Sequence, residues 1–533
     1  MTNAEPRLVD GTTLNFINEG RALAQVLASR WRPGASRLWC YNLHYFDFLK
    51  DEAVAEGLQD KLAFELMASW CQCNPLATTD AWDPYPISLR VVNWIKYLHR
   101  VKLRGGDIPP WVFESLGLQI NALEMTVEHH LRANHLFKNA VALFFSGTFF
   151  AGCDADRWRK KGFNLLSIEL KAQFLEDGGH VERTPTYHAL CIEDCLDCLN
   201  LAQAMPDVAP TVLRESLVAT VIKGINCLRA MTLPDGSLAG FSDTAPGIAP
   251  GTEQLLEYAK CLAVLCPQRS GDDLALIELQ DSGYYGYRRG SEHLLMDCGP
   301  MGVSYQPGHA HCDLLSFEWV LGAKKIIVDS GVFDYVDSPE RQYCRSTAAH
   351  NTVMVDGQEQ GEIWSAFRLG RRPNNYRAEV SVGEEGSCHL SGGHDAYAYL
   401  PGGVVHQRKI ERFFDQGLVV SDELTGSGQH LAVTRFHFAA PYQLLERDGV
   451  LWLWEPDKGA VIKITFSSDL LVSITEADCF PAFGCRQRVA ALELEWRGRL
   501  PASWKCCFEV LQQNVAVEAA TVAISDLAKR GEC

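Results

Sequence analysis

Residues 306–333 read QPGHAHCDLLSFEWVLGAKKIIVDSGVF. Two apolar runs of strand length sit either side of a glycine break, and Asp-Ser-Gly closes the second. The polar opening puts His309, His311 and Asp313 at alternate positions. In an extended chain that spacing turns all three side chains to one face. Three proton-transferring or metal-capable groups on one face suit a metal site, a catalytic site, or both. The plainer alternative is a polar strand face wetted by solvent.

The stretch lies just beyond a change in character near residue 280. Before it, segments such as ISLRVVNWIKYLHRVKL, WVFESLGLQINALEMTVEHHL, NHLFKNAVALFFSGTFF and TYHALCIEDCLDCLNLAQAM repeat apolar residues every three or four positions. Short polar or Pro/Gly-rich connections join them, so sequential helices should be antiparallel neighbours. An incomplete (α/α) toroid or a helical array satisfies this; the lack of a strict sequence repeat argues against a solenoid. After 280, strand-length alternating runs are split by Gly, Asp-Gly and Pro, with hairpin-type Asp-Gly turns at 356–357 and 448–449. An antiparallel sandwich follows. The expected organisation is α+β and multidomain: a helical segment at 1–59 packing on a toroid at 60–279, then a β-sandwich at 280–533.

The chain has 533 residues, a formal net charge of −17, and 47% hydrophobic against 22% charged residues. That is a globular composition with a large core. The acidic balance argues against nucleic acid as the main partner, while leaving room for an anionic substrate met by local Arg and His. The longest apolar run, AVALFFSGTFFAG at 140–152, is too short for a bilayer and reads as a buried helix. No secretory leader pattern is visible, and the 19 cysteines are scattered rather than framework-spaced. Both features suit reduced thiols and a cytoplasmic location, or a periplasmic one if a leader was removed. Cys191, Cys195 and Cys198 match the Cys-x₃-Cys-x₂-Cys spacing of a cluster motif, but those offsets form one helical stripe, which favours core packing.

Four motifs occur in order: ANHLFKN (133–139), DGGHVERTPTYH (177–188), PGHAHCDLLSF (307–317) and STAAHNTVMVDG (346–357). With helices preceding strands, the chain resembles the heparinase II/III-like polysaccharide lyases over about 60–530. The resemblance implies a toroid followed by a β-sandwich, an active site in the cleft between them, and β-elimination at a uronic acid. In that chemistry the uronate carboxylate must be neutralised before the C5 proton becomes acidic. A base then removes that proton and an acid protonates the leaving oxygen. By resemblance Asn134 and His135 neutralise the carboxylate, Tyr187 is the acid and a candidate base, and His309 is the partner base. The phenol needs a cationic neighbourhood or a concerted transfer, for which Arg345, Arg183 and His188 are candidates. The resemblance also implies a divalent metal, zinc by ligand type and structural in role, held by His311, Asp329 and His350. No organic cofactor is implied. The expected partner is a uronate-containing polysaccharide or oligosaccharide, with no nucleic acid and no membrane insertion, and a homodimer is compatible with the family.

Within WDPYPISLRVVNW (82–94), Trp82 and Arg90 suit sugar stacking and carboxylate binding, or a structural salt bridge. Arg345 and His188 join them as substrate-binding candidates. His44 and Asp47 read as a packing anchor, Asp243 and Asp313 as structural, and Arg408 and His437 as strand residues able to face a ligand. Three other functions stay open. A glycoside hydrolase would draw its two carboxylates from Asp177, Glu182, Glu193 and Asp194. A metal-dependent hydrolase built on His-x-His would need an early βα-barrel strand, which the preceding helices oppose. A non-catalytic glycan-binding or assembly protein would keep the fold without turnover.

Overall fold

The computed structural model describes residues 7–9, 11–50, 60–267, 273–383, 386–447, 450–456 and 458–511. It divides into two compact units. The first comprises Met1–Glu182, Tyr187–Leu228 and Gly247–Pro267; the second comprises Arg183–Thr186, Arg229–Pro246 and Gln268–Cys533.

The helical unit starts with a feature the periodicity did not announce. β1 (Leu8–Val9), β2 (Thr13–Phe16) and β3 (Glu19–Ala22) form a three-stranded antiparallel sheet where a helical segment was expected. The strands are too short to establish a period, and the β2–β3 link is a two-residue turn with Ile17 and Asn18 both at positive φ, 48° and 61°. That is the turn whose twist suits a tight hairpin. Then come α1 (Leu23–Ala28), α2 (Arg37–Tyr45), α3 (Asp60–Cys73), α4 (Pro84–Leu103), α5 (Pro110–Met125), α6 (Ala133–Phe149), α7 (Cys153–Gln173), α8 (Pro185–Ala204), α9 (Thr211–Ala230) and α10 (Thr252–Cys261). The part of the expected N-terminal segment at 51–59 lies outside the described residues.

α6 is the central helix of this unit. Every residue from Ala133 to Gly147 except His135 is buried, as expected of a helix apolar almost all round. Its approach to α7 relies on two glycines. A Cβ on Gly162 would lie 2.4 Å from the Phe144 nitrogen, and one on Gly147 would lie 2.2 Å from that of Arg159. Cys191, Cys195 and Cys198 are fully buried on α8, as a core stripe should be. His44 and Asp47 are packing groups too: Trp70 Nε1 donates to His44 Nδ1 at 3.2 Å, and Asn93 Nδ2 donates to Asp47 at 2.7 Å.

The second unit is built from antiparallel sheets. β4 (Ala275–Leu279), β5 (Tyr284–Arg289), β6 (Glu292–Asp297), β7 (Phe317–Leu321) and β8 (Lys324–Ile327) form a sequential five-stranded meander. After α11 (Pro339–Arg345) come β9 (Val353–Val355) and the small hairpin β10 (Ile363–Ser365) with β11 (Arg368–Leu369). The remaining strands are β12 (Asn375–Val382), β13 (Cys388–His394), β14 (Val405–Phe413), β15 (Gly417–Thr425), β16 (Gln429–His437), β17 (Gln443–Arg447), β18 (Val450–Glu455), β19 (Gly459–Phe466), β20 (Leu471–Ala482), β21 (Cys485–Arg499) and β22 (Ala502–Val510). They make an eight-stranded sheet in the order β12-β13-β14-β15-β22-β19-β18-β17 and a four-stranded sheet in the order β20-β21-β16-β9. Leu418, Val420 and Leu424 alternate inward on β15, and Ile462, Ile464 and Phe508 join them in one core. The Asp356-Gly357 turn has both residues at positive φ, 52° and 66°. The second Asp-Gly pair, 448–449, lies outside the described residues. No helix among the described residues is long and apolar enough to cross a membrane.

The opening stretch is only half a strand pair. β7 and β8 pair as expected, but β7 begins at Phe317, and residues 306–316 are turns and bends. The alternation of His309, His311 and Asp313 therefore does not come from a pleated strand. A turn closed by Ala310 N donating to Pro307 O, and Leu315 at φ 60°, shape this loop.

Candidate active site

In the helical unit, Asn134 enters α6 through a strained turn. Arg132, at its N-cap, and Ala133 both have positive φ, 59° and 46°, a conformation that is costly for residues with a Cβ. Asn134 sits past the cap, so its side chain is not the cap. Its Nδ2 lies 2.9 Å from both Glu182 oxygens, an arrangement that one N–H satisfies alone. Its Oδ1 is buried without a partner. His135, the half-buried exception on α6, packs on Tyr85 at 4.5 Å between ring centroids, with Nδ1 3.0 Å from Glu128 Oε1. A carboxylate only accepts, so Nδ1 carries the hydrogen, and His135 can also donate from Nε2 only as the imidazolium.

Tyr187 is half-buried in the first turn of α8. Burial first, then the neighbouring Tyr187 phenol, raises Tyr85 well above the usual phenol range. Two of the groups proposed as its cationic neighbours, His188 and Arg183, hold backbone partners. His188 is buried, accepts at Nδ1 from His180 N at 3.1 Å, and donates from Nε2 to Gly224 O at 2.8 Å. Burial lowers it to about 4, so it stands as a neutral structural imidazole. Arg183 donates to the Ser282 and Asp281 carbonyls.

Arg90 is also corrected. It is fully buried, donating to Gln119 Oε1 at 2.7 Å and to the His44 and Ala81 carbonyls at 3.1 and 3.0 Å. Its guanidinium covers Trp70 at 4.0 Å, and burial lowers it to about 9. It holds loops together, and its Nη2 is buried without a hydrogen-bond partner. Trp82 remains half-buried, its Nε1 donating to Asn74 O at 3.0 Å.

In the β unit, one carboxylate organises the histidines. Asp243 is fully buried; its Oδ2 accepts from His309 Nδ1 and its Oδ1 from His311 Nε2, both at 2.8 Å. Arg341 closes the group as a fork, with Nη2 donating to Oδ2 at 2.8 Å and Nη1 to Oδ1. Burial pushes the Asp243 carboxyl up, but the Arg341 charge and the histidine bonds outweigh it and hold the group well below its usual range. Because Asp243 accepts from Nδ1, neutral His309 carries its lone pair on Nε2. Its ring is 14% exposed, against none for His311. The two histidines of the His-x-His thus share a carboxylate but not an environment. Asp313 is structural as expected, accepting from Ser242 N at 3.0 Å.

Behind His311 lies a second pair. His350 Nδ1 is 2.7 Å from Asp329 Oδ2. Burial pulls His350 down, and the Asp329 charge more than reverses it, so its value is raised. Burial lowers His311. The two rings are 5.4 Å apart, and His311 Nδ1 and His350 Nε2 are both buried without a hydrogen-bond partner. Orphaned imidazole nitrogens whose opposite nitrogens are held by carboxylates are the donor chemistry of a metal site. Among the described residues no three His, Cys, Asp or Glu side chains are already gathered around one point. The residues therefore fit a metal as a pair of nitrogens with Asp329 beside them.

Arg345 is buried under the same loop, donating to the Ala310, Ser365 and Arg368 carbonyls. Burial lowers it to about 10. Arg408 pairs internally with Asp422, and His437 with Asn351, so neither faces a ligand. Asp243 and Arg341 are the functional residues that sequence reasoning missed. Nothing in the local sequence DGSLAGFSDT (235–244) ties Asp243 to histidines 66 and 68 residues away.

Residues 272–515 match the Heparinase II/III-like, C-terminal family and residues 44–267 the Heparinase II/III N-terminus family. The chain is 24% identical over 324 residues to the heparin-sulfate lyase of Pedobacter heparinus, covering 55% of this chain and 47% of that protein. It is 23% identical over 370 residues to the heparin-sulfate lyase of Bacteroides stercoris, covering 65% and 52%. The chain thus spans about half the length of these two relatives. It is also 26% identical over 404 residues to the FtsZ-localized protein C of Caulobacter vibrioides, covering 73% and 65%. Among solved structures, Heparinase III superposes with a TM-score of 0.71 at 16% identity, covering 88% of this chain and 77% of that one. That likeness bears out the fold class, helical toroid then antiparallel β-sandwich. With both terminal family signatures matched in order, the chain belongs to the heparinase II/III-like family.

Proposed function

We propose that this protein is a polysaccharide lyase that cleaves an acidic, uronate-containing glycan by β-elimination. The observation that carries the reading is His309, whose Nδ1 is held by a buried aspartate that Arg341 keeps ionised. This leaves Nε2 as the basic nitrogen and stabilises the imidazolium formed when it takes a proton. Asn134 directs an amide N–H at the uronate carboxylate, with Glu182 holding the amide's orientation, and His135 stands beside it as the second donor. His309 Nε2 removes the C5 proton. The C5–H electron pair becomes the C4–C5 double bond, the C4–O bond breaks, and the leaving oxygen takes the Tyr187 phenolic proton. Solvent then reprotonates Tyr187 and deprotonates His309, and no water is consumed.

His311 and His350, with Asp329, would hold a divalent ion, zinc by donor type. When bound, it supplies a fixed positive charge that keeps the loop behind His309 in place. The names of the lyase relatives favour a heparan-type glycosaminoglycan as the substrate class, with the cytoplasm as the proposed location.

Similarity to the FtsZ-localized protein C, whose name gives a location and not a reaction, keeps a second reading in play, a non-catalytic role. The intact Asn134, Tyr187 and His309–Asp243–Arg341 groups favour the lyase. The test is incubation with a panel of uronate polysaccharides, following ultraviolet absorbance and reducing ends together. Elimination gives both signals; hydrolysis gives reducing ends without the chromophore, and a non-catalytic protein gives neither.

A further inference from the structure

The β10–β11 hairpin carries features that the proposed reaction leaves unused. Trp364 is 63% exposed and Phe367 39% exposed, although large aromatic side chains normally find cover. Arg368, beside them, is exposed, and its guanidinium makes no ion pair among the described residues. The hairpin is nonetheless firmly anchored. Arg341 Nε and Nη2 donate to Ala366 O at 3.0 and 2.9 Å. Arg345 Nη1 donates to Ser365 O at 2.6 Å and to Arg368 O at 3.3 Å. Three carbonyls of the tip are thus fixed by two buried guanidinium groups from one face of α11.

One of those groups is the Arg341 that holds Asp243, so the same side chain ties the hairpin to the His309 centre. The Phe367 ring lies 6.1 Å from His309 and 5.6 Å from Tyr335. An exposed aromatic pair and an unpaired arginine, fixed next to the proposed base on a chain of net charge −17, match an acidic sugar. Pyranose rings pack on aromatic faces, and a guanidinium meets carboxylate or sulfate as a fork. A pre-fixed backbone lowers the ordering cost of binding.

We propose that Trp364, Phe367 and Arg368 form a glycan subsite, in which the aromatic rings support a pyranose ring and Arg368 pairs with a carboxylate or sulfate. The proposal rests on the reading of His309 as the base of an acidic-glycan lyase. The experiment is calorimetric titration of a heparin-derived hexasaccharide into the full chain carrying Tyr187→Phe, which binds without turnover. Adding Arg368→Ala, Trp364→Ala or Phe367→Ala should each weaken binding about tenfold, the scale of one lost charge-assisted or stacking contact, with the melting temperature unchanged. On the Tyr187 background, Arg368→Ala should raise KM and leave kcat in place. Full-affinity binding by all three variants overturns the subsite, as does absence of binding by the parent. A change of oligomeric state in the variants with binding intact also overturns it, marking the hairpin as a contact between copies. The two ideas separate cleanly. Binding lost in the variants while the wild type forms no unsaturated product removes the lyase and keeps the subsite. Product formation with the variants unaffected does the reverse.

Discussion

Asp243→Asn is the most informative perturbation, because the substitution changes almost no volume and reverses the logic of four hydrogen bonds. The carboxylate accepts from His309 Nδ1 and Arg341 Nη2 on Oδ2, and from His311 Nε2 and Arg341 Nη1 on Oδ1. An amide has one accepting oxygen, so its NH₂ must face two of these donors. Arg341 has no lone pair to offer. If the NH₂ replaces Oδ2, His309 must turn its lone pair to Nδ1 and carry its hydrogen on Nε2, where the base is needed. If it replaces Oδ1, His311 changes tautomer instead. In both cases buried Arg341 loses its counter-charge, which costs about 3–5 kcal/mol. A mis-set imidazole tautomer lowers kcat by on the order of 10³–10⁴-fold. The assay is initial-rate formation of unsaturated product, with circular dichroism melting on the same sample. Since the stability loss approaches the whole stability of a typical domain, Arg341→Lys serves as a second variant, keeping charge but not the fork. A folded Asp243→Asn protein whose imidazole nitrogen NMR shows His309 carrying its hydrogen on Nε2, with kcat within about threefold of wild type, would refute the assignment of His309.

Glu182→Gln should lower kcat by roughly tenfold or more by releasing the Asn134 amide, with a stability loss of about 1–3 kcal/mol for the disturbed buried group; an unchanged kcat removes Glu182 from the site. The fold should lose stability in mild acid. Burial lowers His44 and His293 to about 3 and His188 and His437 to about 4, against an ordinary value of 6.5. These rings stay neutral in the fold while the unfolded chain takes up protons. Their contribution is complete above 6.5 and is lost as the pH falls toward 4 and 3, at about 1.4 kcal/mol per pH unit for each group. Melting temperatures should therefore drop steeply between about pH 6.5 and pH 4; a flat profile contradicts the burial of these rings. Metal analysis of the purified protein should find a divalent ion that His311→Ala and His350→Ala both lose, and retention in both variants would exclude the pair as its ligands.

How much of this was legible depended on range. α4 to α9 could be read because their apolar stripes repeat over several turns, and the β unit because its strands are separated by strong turn signals. The sheet at Leu8–Ala22 was not, since four-residue strands establish no period. Arg90 and His188 looked like ligand-binding groups because a helix sequence does not say which polar residue points inward; their carbonyl partners come from elsewhere in the chain. His309 and His311 showed their chemistry in a tripeptide, but not the difference between them. That difference lies in exposure, and in Asp243, whose pairing with them exists only once the loops fold. Arg341 was invisible for the same reason.

The central claim is that the bond breaks by elimination, and mass spectrometry of the products in heavy-oxygen water tests it most directly. A uronate oligosaccharide cleaved by the wild-type protein should give a new non-reducing end lighter by one water than a hydrolytic product, with no heavy oxygen incorporated by cleavage, and Tyr187→Phe should abolish it. Products carrying heavy oxygen at the cleaved bond, or an undiminished yield from Tyr187→Phe, would contradict the account.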